Sequence, residues 1–337
     1  MKRQKYPSRS WSRLITLATL SVLTGCSGGG GNTITDVSGP VASMPPPPPP
    51  PQPINNLPTE ADVIYGSGLT TSGAVSLLLD IYQPDGACTS PRPFVVGIHG
   101  GGFTGGTKSA STWRDNMAAV AEAGFVGLSI DYRLVGDDPV ASAEFQPIAD
   151  DFDALITQLG LGDRQRAQLN AAVAAFEDTV TALEWARDNA ATRCLDIDRF
   201  ALWGSSAGAI TSLHVAHGLD EYFIDRPEPR VVIDYWGQVF QRDLIDAGGP
   251  PLMIIHGTDD QTVIYQDTAV PLAAEADAVG LPYSFYTIQD GPHGFGAVDP
   301  ARVAINGESA LTVTIKFIAD HLQDRSPNYE VQTIIPN

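Results

Sequence analysis

Gly204-Ser205-Ser206-Ala207-Gly208 sets a hydroxyl between glycines, directly after the apolar run Phe200–Trp203 and before an Ala-rich stretch of helical character. A serine on so tight a strand-to-helix turn is lifted into solvent, where it can attack an acyl carbon. The register selects Ser206, because Ser205 would need glycines at the positions of Trp203 and Ala207. A bare G-x-S-x-G arises by chance in many chains, and the strand and helix around it are what give it meaning. A hydroxyl is a weak nucleophile, so it needs a base, and the base needs an orienting acid. The chain has six histidines. His99 belongs to a glycine motif, His214 and His217 lie in the helix after Ser206 and read as structural or exposed, and His321 reads as a surface residue of the last helix. His256 ends the run Leu252–Ile255 and precedes Gly257-Thr258-Asp259-Asp260. His293 lies in Gly291-Pro292-His293-Gly294-Phe295, after the run Tyr283–Ile288. The chain order Ser, Asp, His selects Asp260 and His293, with Asp259 as the competing acid.

A second element is His99-Gly100-Gly101-Gly102-Phe103, which follows the run Phe94–Ile98. Acyl transfer develops negative charge on a carbonyl oxygen, and each backbone N–H aimed at it contributes about 3 kcal/mol. Glycines let the backbone come that close. The alternative is a merely flexible glycine loop; the position after a buried strand and well before Ser206 favours the chemical reading.

These residues need a frame, and the apolar runs supply it. Leu77–Tyr82, Phe94–Ile98, Phe125–Ile130, Phe200–Trp203, Val231–Ile233, Leu252–Ile255 and Tyr283–Ile288 have strand length. Helical stretches such as Phe176–Asn189 and Ser309–Leu322 fall between them. That alternation predicts an α/β domain with a mostly parallel sheet covered on both faces. Residues 134–172 break the alternation and are acidic at Asp137, Asp138, Asp150, Asp151 and Asp153. So long a loop without structure is unusual, so the segment is expected to be a helical insertion, with a lid as one possible use. Its acids read as a solvated face, since no Ca²⁺-loop spacing is present.

The chain of 337 residues and 43% hydrophobic content suffices for one large domain with appendages. Lys2, Arg3, Lys5, Arg9 and Arg13 precede the apolar stretch Leu14–Leu23, too short to span a membrane and suited to a cleaved signal over residues 1–25. Leu23-Thr24-Gly25-Cys26 resembles the bacterial lipobox, which implies lipidation of Cys26 and a membrane anchor. Ser27 after it implies an exported protein at the outer membrane, cell surface or periplasm; an incidental Cys after an ordinary signal is the alternative. Residues 26–58, with the run Pro45–Pro51, read as a Gly/Ser/Pro-rich tether, leaving 59–337 as the folded domain. Removing residues 1–25, with their five Lys/Arg and no Asp/Glu, takes the formal charge from −19 to −24. A chain this acidic is a poor partner for nucleic acid or anionic lipid. Two of the three cysteines remain after Cys26, namely Cys88 and Cys194, and an even pair in an exported chain reads as one disulfide rather than two thiols.

Taken together, His-Gly-Gly-Gly-Phe, Asp131-Tyr132-Arg133-Leu134, Gly-Ser-Ser-Ala-Gly, His-Gly-Thr-Asp-Asp and Gly-Pro-His-Gly-Phe resemble the carboxylesterase/lipase branch of the α/β hydrolases. The hormone-sensitive-lipase-like and feruloyl-esterase-like groups are the most similar, and the likeness runs from about residue 60 to 322. The resemblance implies the α/β-hydrolase fold and hydrolysis of small-molecule carboxylic esters by Ser206, His293 and Asp260, the acid four residues after the His of His-Gly-Thr. It further implies oxyanion donors at the N–H groups of Gly101, Gly102 and Ala207, with no metal and no organic cofactor. Phe103 and Trp236 are candidates for the acyl-pocket wall, with core packing the alternative for Trp236. Ser205 stands where an acidic residue is common and Ala209 where a second Gly is usual. Neighbouring parallel strands in this fold bring Cys88 and Cys194 to one end of the sheet, which implies a Cys88–Cys194 bridge. Two rivals are a serine peptidase of the same fold and a catalytically inactive binding module. Peptidases of that kind usually carry Tyr after the nucleophile and a propeller domain, and inactive relatives typically lose a triad member.

Overall fold

The continuous apolar runs become strands buried on both sides, in a computed structural model that describes residues 56–295 and 303–335. The expected leader 1–25, Cys26 and the run Pro45–Pro51 lie outside the described residues. In chain order the elements are β1 (Glu60–Thr70), β2 (Gly73–Tyr82), β3 (Arg92–Ile98), α1 (Ser111–Glu122), β4 (Val126–Ile130), α2 (Gln146–Leu159), α3 (Asp163–Asp188) and α4 (Ala190–Arg193). They continue with β5 (Leu195–Ser205), α5 (Ala207–His217), β6 (Val231–Tyr235), β7 (Leu252–Gly257), α6 (Ala269–Val279), β8 (Tyr283–Ile288), β9 (Ala304–Ile305), β10 (Glu308–Ser309), α7 (Ala310–Leu322) and β11 (Val331–Ile334). One sheet has the order β1-β2-β4-β3-β5-β6-β7-β8-β11, and β9 and β10 form a separate small hairpin. The pairings from β4 across to β11 are parallel, whereas β2 runs antiparallel to both β1 and β4.

Because side chains alternate across a strand, each buried strand feeds two cores. On β3, Phe94, Val96 and Ile98 pack with residues of α2, α3, α5 and α6, while Val95 joins Trp113 and Met117 of α1 and Phe317 and Ile318 of α7. Helices thus cover both faces, as the alternation predicts. Residues 134–172 hold a short 3-10 turn (Val135–Asp137), all of α2 and the start of α3. The helix expected over 176–189 is the second half of α3, which begins thirteen residues earlier, at Asp163. Beyond the expected series the main sheet gains β1 and β11, both at its edges, and the hairpin of β9 and β10 stands apart from it.

Buried charges tie this frame to the loops around the site. Arg133 donates to Asp178 of α3 through Nε at 2.9 Å and Nη2 at 2.7 Å, and also to Leu69 O and Val140 O. Lys108 pairs with Asp80 at 2.9 Å and Asp62 at 2.8 Å, which fixes the chain after the glycine motif against β1 and β2. Cys88 and Cys194 form a disulfide with Cα atoms 6.0 Å apart, at the N-terminal end of the neighbours β3 and β5.

Candidate active site

The turn between β5 and α5 puts Ser206 at φ 52°, ψ −119°, a backbone conformation a serine seldom takes. The surroundings enforce it. A Cβ on Gly204 would collide with the Gly208 carbonyl, and one on Gly208 with the Ile98 carbonyl of β3. The two glycines of the motif are therefore where helix, turn and neighbouring strand come closest. Ser206 N–H donates to Tyr235 O at 2.8 Å, and Ser206 O accepts from Ile210 N–H at 2.9 Å, which opens α5.

His293 follows β8 and Asp260 follows β7, and the two converge on Ser206. His293 Nε2 is 3.0 Å from Ser206 Oγ, and His293 Nδ1 is 2.7 Å from Asp260 Oδ2. Asp260 is buried, and its Oδ1 accepts from the Thr262 and Val263 N–H groups at 2.8 Å each. Burial alone would raise its pKa, but the hydrogen bonds and electrostatic pull of His256 and His293 outweigh burial and hold the carboxyl well below the usual carboxylate range. The competing acid, Asp259, is exposed and does not reach either imidazole.

His256 is a participant that sequence reasoning left without a role. Its Nε2 lies 2.8 Å from Val263 O and 3.1 Å from Asp260 Oδ2. A carbonyl only accepts, so Nε2 carries the proton and shares it between the two oxygens. The His-Gly-Thr-Asp-Asp spacing, i to i+4, was the available signal for this contact.

The glycine motif lies directly against the nucleophile: a Cβ on Gly100 would sit 3.2 Å from Ser206 Cβ. Three peptides here carry the N–H groups of Gly101, Gly102 and Ala207, and each has its carbonyl held from behind. Gly100 O accepts from His99 Nδ1 at 2.7 Å. Gly101 O accepts from Thr104 N–H at 3.0 Å and Gly105 N–H at 3.2 Å, and Ser206 O accepts from Ile210 N–H. Donors on a carbonyl fix its peptide plane and polarise the N–H at the other end. None of the three N–H groups has a protein acceptor among the described residues.

Of the two candidate wall residues, Trp236 presents its ring edge-on to His293, with centroids 6.3 Å apart. Phe103 is buried beside Tyr132 in the core, at φ 61°. His214 is also buried, stacked on Phe176 at 4.9 Å, and burial pushes its imidazole down to about 4, so it is a neutral core residue at neutral pH. His321 is half-buried and bonded to Phe317 O and Tyr329 Oη. Among the described residues, no group of three or more His, Cys, Asp or Glu could hold a metal ion, and no helix is long and apolar enough to cross a membrane.

Comparison with known proteins agrees with this architecture. The BD-FAE family profile matches residues 79–155, which include the glycine motif. Acetylcholinesterase of Gallus gallus is 35% identical over 133 residues, covering 40% of this chain and 14% of that protein. Lipase 1 of Geotrichum candidum is 27% identical over 184 residues, covering 52% of this chain and 26% of that protein. The chain thus spans about a quarter or less of the curated relatives it matches. A thermophilic esterase from Thermogutta terrifontis, solved with propionate bound, superposes with a TM-score of 0.57 at 19% identity, over 82% of this chain and 98% of that one. The fold is that of the α/β hydrolases, and the relatives are esterases and lipases.

Proposed function

We propose that this α/β hydrolase is a serine carboxylesterase that cleaves small carboxylic esters through an acyl-enzyme. The observation that carries the reading is the continuous line from Ser206 Oγ to His293 at 3.0 Å and from His293 to Asp260 at 2.7 Å. Ser206 Oγ attacks the acyl carbon while its proton passes to His293 Nε2. The ionised Asp260 keeps the imidazole in the right tautomer and stabilises the imidazolium that forms. Negative charge on the substrate oxygen is met by the N–H groups of Gly101, Gly102 and Ala207, whose peptides need no reorganisation because their carbonyls are already held. Collapse of the tetrahedral adduct breaks the ester C–O bond, and the alcohol leaves with the proton from His293. Water then gives its proton to His293, attacks the acyl carbon, and releases the acid and free Ser206. Support for an ester substrate comes from the esterase and lipase relatives and from the neighbour that holds propionate. A Ser206→Ala variant is expected to lose p-nitrophenyl acetate turnover by ~10⁴-fold or more, and a fluorophosphonate to label Ser206 in the wild type. Full turnover by Ser206→Ala would refute the mechanism.

The cellular address is a second part of the proposal, and its support is the sequence. Export with a lipid on Cys26 would place the domain at the end of the tether that runs to residue 58. The expected result is palmitate incorporation into the full chain that disappears in Cys26→Ala; incorporation unchanged by that substitution removes the anchor.

A further inference from the structure

Helix α3 sends one buried polar side chain across to the glycine loop. Gln168 is 2% exposed, and its Nε2 donates to Gly102 O at 3.0 Å. Because a carbonyl only accepts, this bond determines which end of the amide is nitrogen. The other end, Oε1, is buried with no partner among the described residues. A side chain kept only for packing would be Leu or Met, which fill a similar volume without stranding an acceptor.

The loop that Gln168 holds is under backbone strain. Gly101, Gly102 and Phe103 take φ of 120°, 60° and 61° in succession, and for a residue with a bulky side chain such as Phe103 this region is unfavourable. Relaxing Phe103 means rotating the Gly102–Phe103 peptide, which swings the Gly102 carbonyl and disturbs the Gly102 N–H on the adjoining peptide. Gln168 opposes that rotation at Gly102 O, and Val135 N–H opposes it at Phe103 O, at 2.8 Å. Both donors come from the segment 134–172, on the far side of β4 in the chain.

We infer that Gln168 is a positioning residue for the oxyanion-binding loop, its amide N–H holding Gly102 so that the neighbouring N–H groups stay aimed at the substrate oxygen. The inference rests on the esterase reading above and gives the segment 134–172 a task in the chemistry: it braces the loop from behind. Gln168→Met keeps the volume and removes both the donor and the stranded acceptor; Gln168→Glu keeps the shape and, in its ionised form, offers only acceptors.

The test measures both variants with p-nitrophenyl acetate, alongside Tm and hydrogen–deuterium exchange of the backbone over 99–106. Both variants are expected to lose kcat by about tenfold or more, with KM within about threefold of wild type. Gln168→Met should have a Tm at or above wild type, while exchange speeds up over 99–106 and is unchanged elsewhere. Wild-type kcat in both variants overturns the inference. So does a joint fall in kcat and Tm with faster exchange throughout α3, because that pattern marks a packing role. Should Ser206→Ala retain turnover, the esterase reading fails by itself, and the exchange over 99–106 still decides whether Gln168 holds Gly102.

Discussion

Asp260 Oδ2 receives N–H groups from two imidazoles, whereas an orienting acid in a simple triad needs only one. Together with two backbone donors on Oδ1, this leaves the carboxylate no freedom to rotate, so His293 meets a fixed acceptor. Behind His256, on the adjacent strand β6, lies Asp234, fully buried, with its Oδ1 taken by Gly237 N–H at 2.7 Å. Its Oδ2 has no partner among the described residues. Burial pushes this acid up to about 6, against the opposing pull of His256 and the Gly237 bond. The native state therefore holds a proton on Asp234 that an unfolded chain, with an ordinary carboxyl near 3.9, has already released. Between about pH 4 and 6 the folded state binds more protons, so this group's contribution to stability falls as pH rises through that window and stays low above it. Asp234→Asn keeps an acceptor for Gly237 and cannot ionise. Relative to wild type it should gain stability from pH 4 to 6, by at most about 1.4 kcal/mol per pH unit, and hold that gain at pH 7. Urea unfolding of both proteins at pH 4, 5, 6 and 7 checks this, and parallel pH profiles would show that Asp234 is not the source.

At the scale of elements, the strands that carry site residues were the legible ones, for a physical reason. β3, β5, β7 and β8 are covered on both faces over the stretches that lead to the site, so Phe94–Ile98, Phe200–Trp203, Leu252–Ile255 and Tyr283–Ile288 are buried on both sides and stand out in the sequence as largely apolar runs. Edge strands escape that requirement. β1 mixes exposed Asp62 and Ile64 with Gly66 and Gly68, the latter leaving room for the Arg133 side chain, and its register shifts twice. β11 is four residues long and mostly exposed. Neither presents a run to read. The start of α3 was hidden in another way: Asp163-Arg164-Gln165-Arg166 looks like a solvated turn, yet it begins a helix whose next polar residue, Gln168, is buried. The pairing of Gln168 with Gly102 joins residues 66 apart in the chain, and no local pattern encodes it. Ser206, Asp260 and His293 were legible because each sits in a short motif at a strand end, where the backbone restricts residue type more than packing does.

On the scale of the molecule, the sheet separates chemistry from closure. The glycine motif, Ser206, Trp236, Asp260 and His293 follow the C-terminal ends of β3, β5, β6, β7 and β8, the end where ligands bind in parallel sheets. Cys88 and Cys194 join the opposite ends of β3 and β5, a strand length of roughly 20 Å away. The bridge closes a loop with a sequence separation of 106, which in the chain-entropy account removes about 4–5 kcal/mol of unfolded-state freedom. In the native state, β3 and β5 remain paired through their own ladder without it. Reduction should therefore lower Tm with little effect on the site. Cys88→Ser, or wild type held in excess dithiothreitol, is expected to lose ~5–15 °C of Tm while keeping kcat within about twofold at 25 °C. A loss of kcat in protein that is still folded would mean that the strand ends communicate. An unchanged Tm would mean that the bridge does not constrain the unfolded chain. The expected result also bears on the cellular address: the domain would reach full stability only where thiols are oxidised, as they are after export.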